Sequence, residues 1–227
     1  MLIGQHYFFL ELDKTEEALE EDDPSHYLYM STGSLISLAG NDRRYVAGRF
    51  ELFYVDIGAA INAGASIFDI FDSKQSAHDY HAAIFEPGTA AFSETLTALL
   101  DDAPLWGNIL ILDRLEILPK FRQKGLGLVV MRRLIERFGA GAAVVAIKPF
   151  PLQCEADEED ADRWRNRLKL SEFDKKTDHA TEALRRYYKR LDFKAMEGTP
   201  FMFRSAEAQL PPPSDLVGDK TNLPPKA

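Results

Sequence analysis

Between Ile109 and Ile147 the sequence switches from strand-like to helix-like and back around one short glycine-bearing turn, and this limits the possible folds more than any other feature. Ile109 to Leu118 reads as a strand. Its first four residues, Ile109-Leu110-Ile111-Leu112, are apolar on both faces, as in the middle of a sheet. Leu128, Met131, Leu134, Ile135 and Phe138 then recur at i, i+3, i+6, i+7 and i+10, opposite Arg132, Arg133, Glu136 and Arg137, which is the stripe of an amphipathic helix. Gly139 and Gly141 close that helix as C-terminal glycines do. Ala142 to Ile147 is a continuous apolar run, the pattern of a buried strand. Strand, helix and strand at this spacing predict a right-handed βαβ crossover.

The turn is Arg122-Gln123-Lys124-Gly125-Leu126-Gly127. A strand that empties through glycines into a helix start is suited to anions. The first helical N–H groups have no intrahelical acceptor, and the macrodipole places partial positive charge there. A phosphorylated ligand is therefore expected. Other phosphate loops fit worse: a Walker A loop needs Gly-Lys in that order, whereas Lys124 precedes Gly125, and a dinucleotide fingerprint needs a small residue at Val130.

Elsewhere the organisation is coarser. His6 to Leu12 reads as a short strand, and the acidic run Asp13 to Asp23 as a solvated helix or loop. Arg44 to Ile61 suggests one or two strands, with turns available at Gly58, Asn62 and Gly64. Ser73 to Phe85 looks helical, with Ala77, Tyr80, Ala83 and Ile84 on one face, and Pro87-Gly88 punctuates it. Cys154 to Lys176 is heavily charged, with a short amphipathic helix around Arg163, Trp164 and Leu168. A further helix covers Thr181 to Leu191, and Phe193 to Arg204 reads as a last strand or a hairpin about Gly198. From residue 206 to 227 the composition shifts to prolines, which predicts a disordered tail.

Taken together, the turn, the apolar strand and the segment Tyr187-Tyr188-Lys189-Arg190-Leu191-Asp192-Phe193 resemble the GCN5-related N-acetyltransferase (GNAT) family. The family's [Arg/Gln]-x-x-Gly-x-[Gly/Ala] signature is similar to Arg122 to Gly127, approached through Leu118-Pro119. Its late Tyr-x-x-x-Gly-Phe segment is similar to Tyr188 to Phe193, except that Asp192 stands where glycine is usual. The resemblance is specific over residues 109–150 and 180–204 and thin over 1–108. It implies one α/β (α+β) domain over residues 1–205: a mixed, mainly antiparallel sheet flanked by helices, with a splayed parallel strand pair at the cofactor site.

The resemblance also implies a reaction, transfer of an acetyl group from acetyl-coenzyme A to a primary amine of a small molecule or peptide. Amides of Gln123, Lys124, Gly125, Leu126, Gly127 and Leu128 would converge on the diphosphate. Arg122 and Lys124 would add positive charge, and Ile117 and Leu118 would give backbone contacts to the pantetheine arm. Tyr188 matches the tyrosine that protonates the departing thiolate, with Tyr187 the candidate if the register slips by one. Glu116 is the candidate base. The same fold could instead bind acetyl-coenzyme A without turnover, as a sensor or interaction module. The charged insertion is expected to border the acceptor, and its Asp157-Glu158-Glu159-Asp160 run could attract a cation.

Charge and composition exclude several other classes. A net charge of −9 argues against a generic nucleic-acid binder. One cysteine, Cys154, rules out an intrachain disulfide framework and a Cys-rich zinc site. His78 and His81 share a helical face without companion ligands, so no metal is expected. The opening residues lack a basic n-region, and no uncharged apolar stretch reaches the roughly 18 residues of a membrane span. A cytoplasmic protein without membrane partners is expected, with homodimerisation open.

Overall fold

The computed structural model describes residues 2–3, 6–20, 22–40, 43–101, 104–155 and 163–217. Strands β1 (Leu2–Ile3), β2 (His6–Glu16), β3 (Leu28–Leu38) and β4 (Arg44–Val55) form an antiparallel meander. Four short helices follow: α1 (Ile57–Ala63), α2 (Ile67–Asp72), α3 (Gln75–Ile84) and α4 (Glu94–Leu99). Next come β5 (Asn108–Ile117), α5 (Leu126–Phe138) and β6 (Ala142–Ile147), then α6 (Arg163–Leu168), α7 (Thr177–Lys189), β7 (Lys194–Ala195), β8 (Met202–Ser205) and α8 (Pro213–Leu216). The sheet order is β1-β2-β3-β4-β5-β6-β8-β7, and β5 with β6 is its parallel pair. This is the mixed, mainly antiparallel sheet flanked by helices that the sequence led us to expect.

Both faces of the sheet are covered. Leu110 and Leu112 of β5 point into a core shared with α5, α6 and Leu216, while Ile109 and Ile111 point into a second core built with α1 to α4. That two-sided burial is why β5 and β6 read as continuous apolar runs. The expected helical face of α3 is observed, with Ala77, Tyr80, Ala83 and Ile84 all buried.

Several boundaries differ from expectation. The strand at His6 runs on to Glu16, through a bulge between Leu12 and Lys14, so part of the acidic run is strand. The chain after Val55 turns helical at Asp56, whose side chain accepts from the Ala59 amide and caps α1. Residues 206–217, expected to be disordered, are packed: Leu216 is buried, and Ala206, Leu210 and Val217 lie against the core. Three arginines hold this run by its carbonyls. Arg204 donates to Ala208 (2.7 Å), Arg132 to Pro211 (2.7 Å) and Arg190 to Asp215 (2.8 Å). Residues 218–227 and the acidic run Asp157 to Asp160 lie outside the described residues.

Candidate functional site

The parallel pair opens partway along its length. The β5–β6 ladder runs from Asn108 with Ala142 to Ile111 with Ala146 and stops, while β5 stays paired with β4 as far as Ile117 with Gly48. At that point β5 also carries a bulge. Leu52 faces Leu112 and Glu51 faces Arg114, leaving Asp113 as the extra residue. Bulges redirect side chains and gather near active sites. Pro149 and Pro151 follow β6 and cannot donate to a continued ladder.

At the far end of this gap lies the glycine turn. Gln123 (φ 63°) and Gly125 (φ 71°) both take left-handed conformations, with Lys124 between them. Such alternation turns successive N–H groups toward one point, making an anion-binding nest. The amides of Gln123, Lys124, Gly125, Leu126 and Gly127 have no acceptor among the described residues. Lys124 is exposed beside them. Left-handed Gln123 costs strain that persists only where its surroundings enforce it. Such a nest is suited to an anion.

Other expected cofactor contacts are placed differently. The Leu128 amide is taken by the Tyr187 hydroxyl at 3.0 Å. Gly127 is helical; its hydrogen matters because a Cβ there would come within 2.6 Å of that same hydroxyl. Arg122 does not face the nest. It donates to the Ile117 carbonyl (2.6 Å) and the Leu168 carbonyl (2.8 Å) and stacks on Phe173, stapling the insertion to the turn. The Leu118 amide bonds to Ala47 of β4 (2.8 Å), so it turns from the gap. Against Gly125 lies the C-terminal run, since a Cβ on Gly125 would overlap the Leu216 carbonyl. Gly125→Ala is therefore expected to lower the melting temperature. The left-handed residue alone costs about 1–2 kcal/mol, and displacement of Leu216 adds to it. An unchanged thermal unfolding curve by circular dichroism would refute this placement.

Glu116, expected as the base, is built into the structure. It is buried, one oxygen accepting from Arg114 Nη1 (2.9 Å) and the other from Trp164 Nε1 (2.6 Å). Arg114 also pairs with Glu155, which pairs in turn with Arg165 (2.8 Å). The Arg49 guanidinium lies 4.3 Å over the Trp164 ring. This network fastens the insertion to β4 and β5, and both Glu116 oxygens are engaged in it.

Asp113, the extra residue of the bulge, has no hydrogen-bond or ion-pair partner among the described residues. Burial, then the neighbouring Glu51, push its pKa up to about 6, against the pull of Arg114 and Lys148. Asp113 escaped the sequence reading because a bulge breaks the two-residue period by which strand faces are read. Tyr80 of α3 lies near it. The Tyr80 hydroxyl is buried, and burial followed by Asp113 and Tyr188 drives its pKa well above normal, against a hydrogen bond with the Lys148 backbone. Tyr188 is raised by burial and then by Tyr187. Tyr80 thus lies within electrostatic reach of both Asp113 and Tyr188. Asp192 sits at φ 64°, a left-handed conformation that aspartate tolerates better than most residues.

Other candidates are ordinary. Cys154 is a free thiol near the Lys175 carbonyl, and His78 pairs with Asp72 at 2.8 Å. No group of three or more metal-ligating side chains occurs among the described residues. No helix among them is long and apolar enough to cross a membrane.

No family model matches the chain, and no curated protein matches it. A solved structure described as "The crystal structure of KacTA-DNA complex" aligns with 79% of this chain and 69% of its own, at 14% identity and a TM-score of 0.38. At that distance the likeness carries no argument about activity or partners, and it lends nothing to the expectation that nucleic acid is not bound.

Proposed function

We propose that the protein is an acetyl-coenzyme A-dependent N-acetyltransferase acting on a primary amine. The observation that carries this reading is the nest of five amides without an acceptor among the described residues, at one end of an opened parallel strand pair that carries Asp113 at the other. When bound, acetyl-coenzyme A supplies the acyl group as a thioester. The amides of residues 123–127 and Lys124 would hold its diphosphate. Asp113 would accept a proton from the ammonium form of the acceptor, leaving a neutral amine as nucleophile. Tyr188, kept protonated by burial, would give its proton to the departing sulfur. Glu116, Trp164 and Arg114 tie the insertion to β5, and Arg122 ties it to the turn.

A coenzyme-binding module without turnover is the second reading, and the packing of the Leu216 backbone against Gly125 favours it, because a chain segment beside the turn suits regulation. Thermal shift with coenzyme A tests both readings at once. A ligand at a hundred times its dissociation constant stabilises the folded state by about 2.7 kcal/mol. No shift would remove the coenzyme from either reading. A shift without release of free coenzyme A over a panel of amines would favour the module.

A further inference from the structure

The run that follows β8 is held firmly at its root and loosely beyond it. The Ala206 amide donates to the Ala143 carbonyl at 3.0 Å. The fully buried Arg204 donates to the Ala208 carbonyl, and its Nε and Nη1 have no partner among the described residues. Losing Ala208 would leave a bare guanidinium inside the protein, which is strongly unfavourable. From residue 209 onward the hold is weaker. Among the described residues, no backbone amide of 209–217 donates to a backbone carbonyl outside that run. Two arginines grip its carbonyls instead, Arg132 at Pro211 and Arg190 at Asp215. Both can let go. Arg132 keeps its ion pair with Glu136 at 2.7 Å, and the Arg190 bond lies at the exposed surface. A cleft of about 370 Å³ separates residues 209–212 from Lys189, Arg190 and Asp192.

The far end of this run lies against the nest. The Leu216 side chain is buried in the core around α5, and its carbonyl oxygen stands where a Cβ on Gly125 would be. Gly125 is the N-cap of α5, so the negative end of that carbonyl meets the positive end of the helix. Yet the Leu216 carbonyl accepts from none of the nest amides. It is a neutral group making no bond there. An ionised phosphate oxygen would take the same amides in short, charge-assisted bonds. We propose that residues 209–217 form an autoinhibitory strap, hinged after Ala208, which closes the nest and which the coenzyme's diphosphate displaces. This step rests on the reading of the turn as a diphosphate site.

Calorimetric titration of the full chain with coenzyme A and with inorganic pyrophosphate tests it, comparing the wild type with Leu216→Asp and Arg190→Gln. The first substitution removes the buried anchor of the strap. The second cuts an exposed bond and leaves the core intact. A strap closed about nine-tenths of the time lowers apparent affinity about tenfold. Leu216→Asp should therefore bind both ligands about tenfold more tightly, and Arg190→Gln should shift the same way by a smaller factor. Hydrogen exchange gives a second readout: saturating coenzyme A should speed exchange of the amides of residues 209–217 in the wild type. Equal or weaker binding in both variants would overturn the strap and leave the nest in place. So would slower exchange of this run on binding, because the run would then close over the ligand. If neither the wild type nor the variants bind coenzyme A or pyrophosphate, the nest reading falls and the strap falls with it.

Discussion

Asp113→Asn is expected to reduce acetyl transfer about a hundred- to ten-thousandfold, the usual contribution of a positioned general base. The signature lies in the pH profile. Asp113 acts as the carboxylate, so the wild-type rate should climb as pH rises through about 6 and then level off. The asparagine variant should lack that limb. Stability should move the other way. The folded-state pKa is raised above the ordinary value of 3.8, so the folded protein holds this proton more tightly than the unfolded chain does. Stability from this group is therefore highest below about 4 and declines as pH climbs to about 6. Above that window Asp113→Asn should be the more stable protein, by up to about 3 kcal/mol, and the advantage should vanish at low pH. Denaturant titrations at pH 4 and pH 8 would check it. A variant that is slow but no more stable at pH 8 would contradict the burial of the charge.

Tyr188→Phe is the second large effect. Loss of the proton donor should lower kcat about a hundredfold or more with little change in the KM for acetyl-coenzyme A. Tyr187→Phe should behave differently, although the two side chains are adjacent. The Tyr187 hydroxyl receives the Leu128 amide at 3.0 Å, and burial pushes its pKa up to about 12. Removing it leaves a helix amide unpaired at a cost of about 1–3 kcal/mol, seen as a lower denaturation midpoint, with kcat nearly retained. The reverse pattern, a rate loss in Tyr187→Phe alone, would move the donor one residue back along the helix.

The segment from β5 through β6 was legible because packing there follows simple periods. Ile109 to Leu112 are buried on both faces, and the stripe Leu128, Met131, Leu134 and Ile135 is the buried face of α5. β3 was not legible, because its inward positions include small polar residues. Ser34 donates to Asp13 (2.8 Å), and Ser37 bonds to His6 (2.8 Å), so serines satisfied by distant partners interrupt the apolar alternation. Gly33 adds to the disguise; the Phe50 ring and the Glu11 carbonyl fill the space of its missing side chain. The partners of Glu116 were hidden for a similar reason. Its partner Trp164 is distant in sequence and lies in a charged stretch that reveals no tertiary contact. The proline run was read as disorder by composition alone. Proline offers a carbonyl without an amide, and arginines elsewhere in the fold can use that carbonyl, as Arg132 does with Pro211. The nest was legible at Gly125; the left-handed Gln123 beside it carried no glycine to betray it.

The two tryptophans occupy opposite optical environments. Trp164 is almost wholly enclosed and donates to Glu116 at the opened edge of β5, whereas Trp106 is 55% exposed beside Gly107, just before that strand begins. Their emission should separate into a blue component from the first and a red, readily quenched component from the second. With aqueous iodide suppressing Trp106, the remaining fluorescence becomes a label-free reporter of whatever enters between the parted strands.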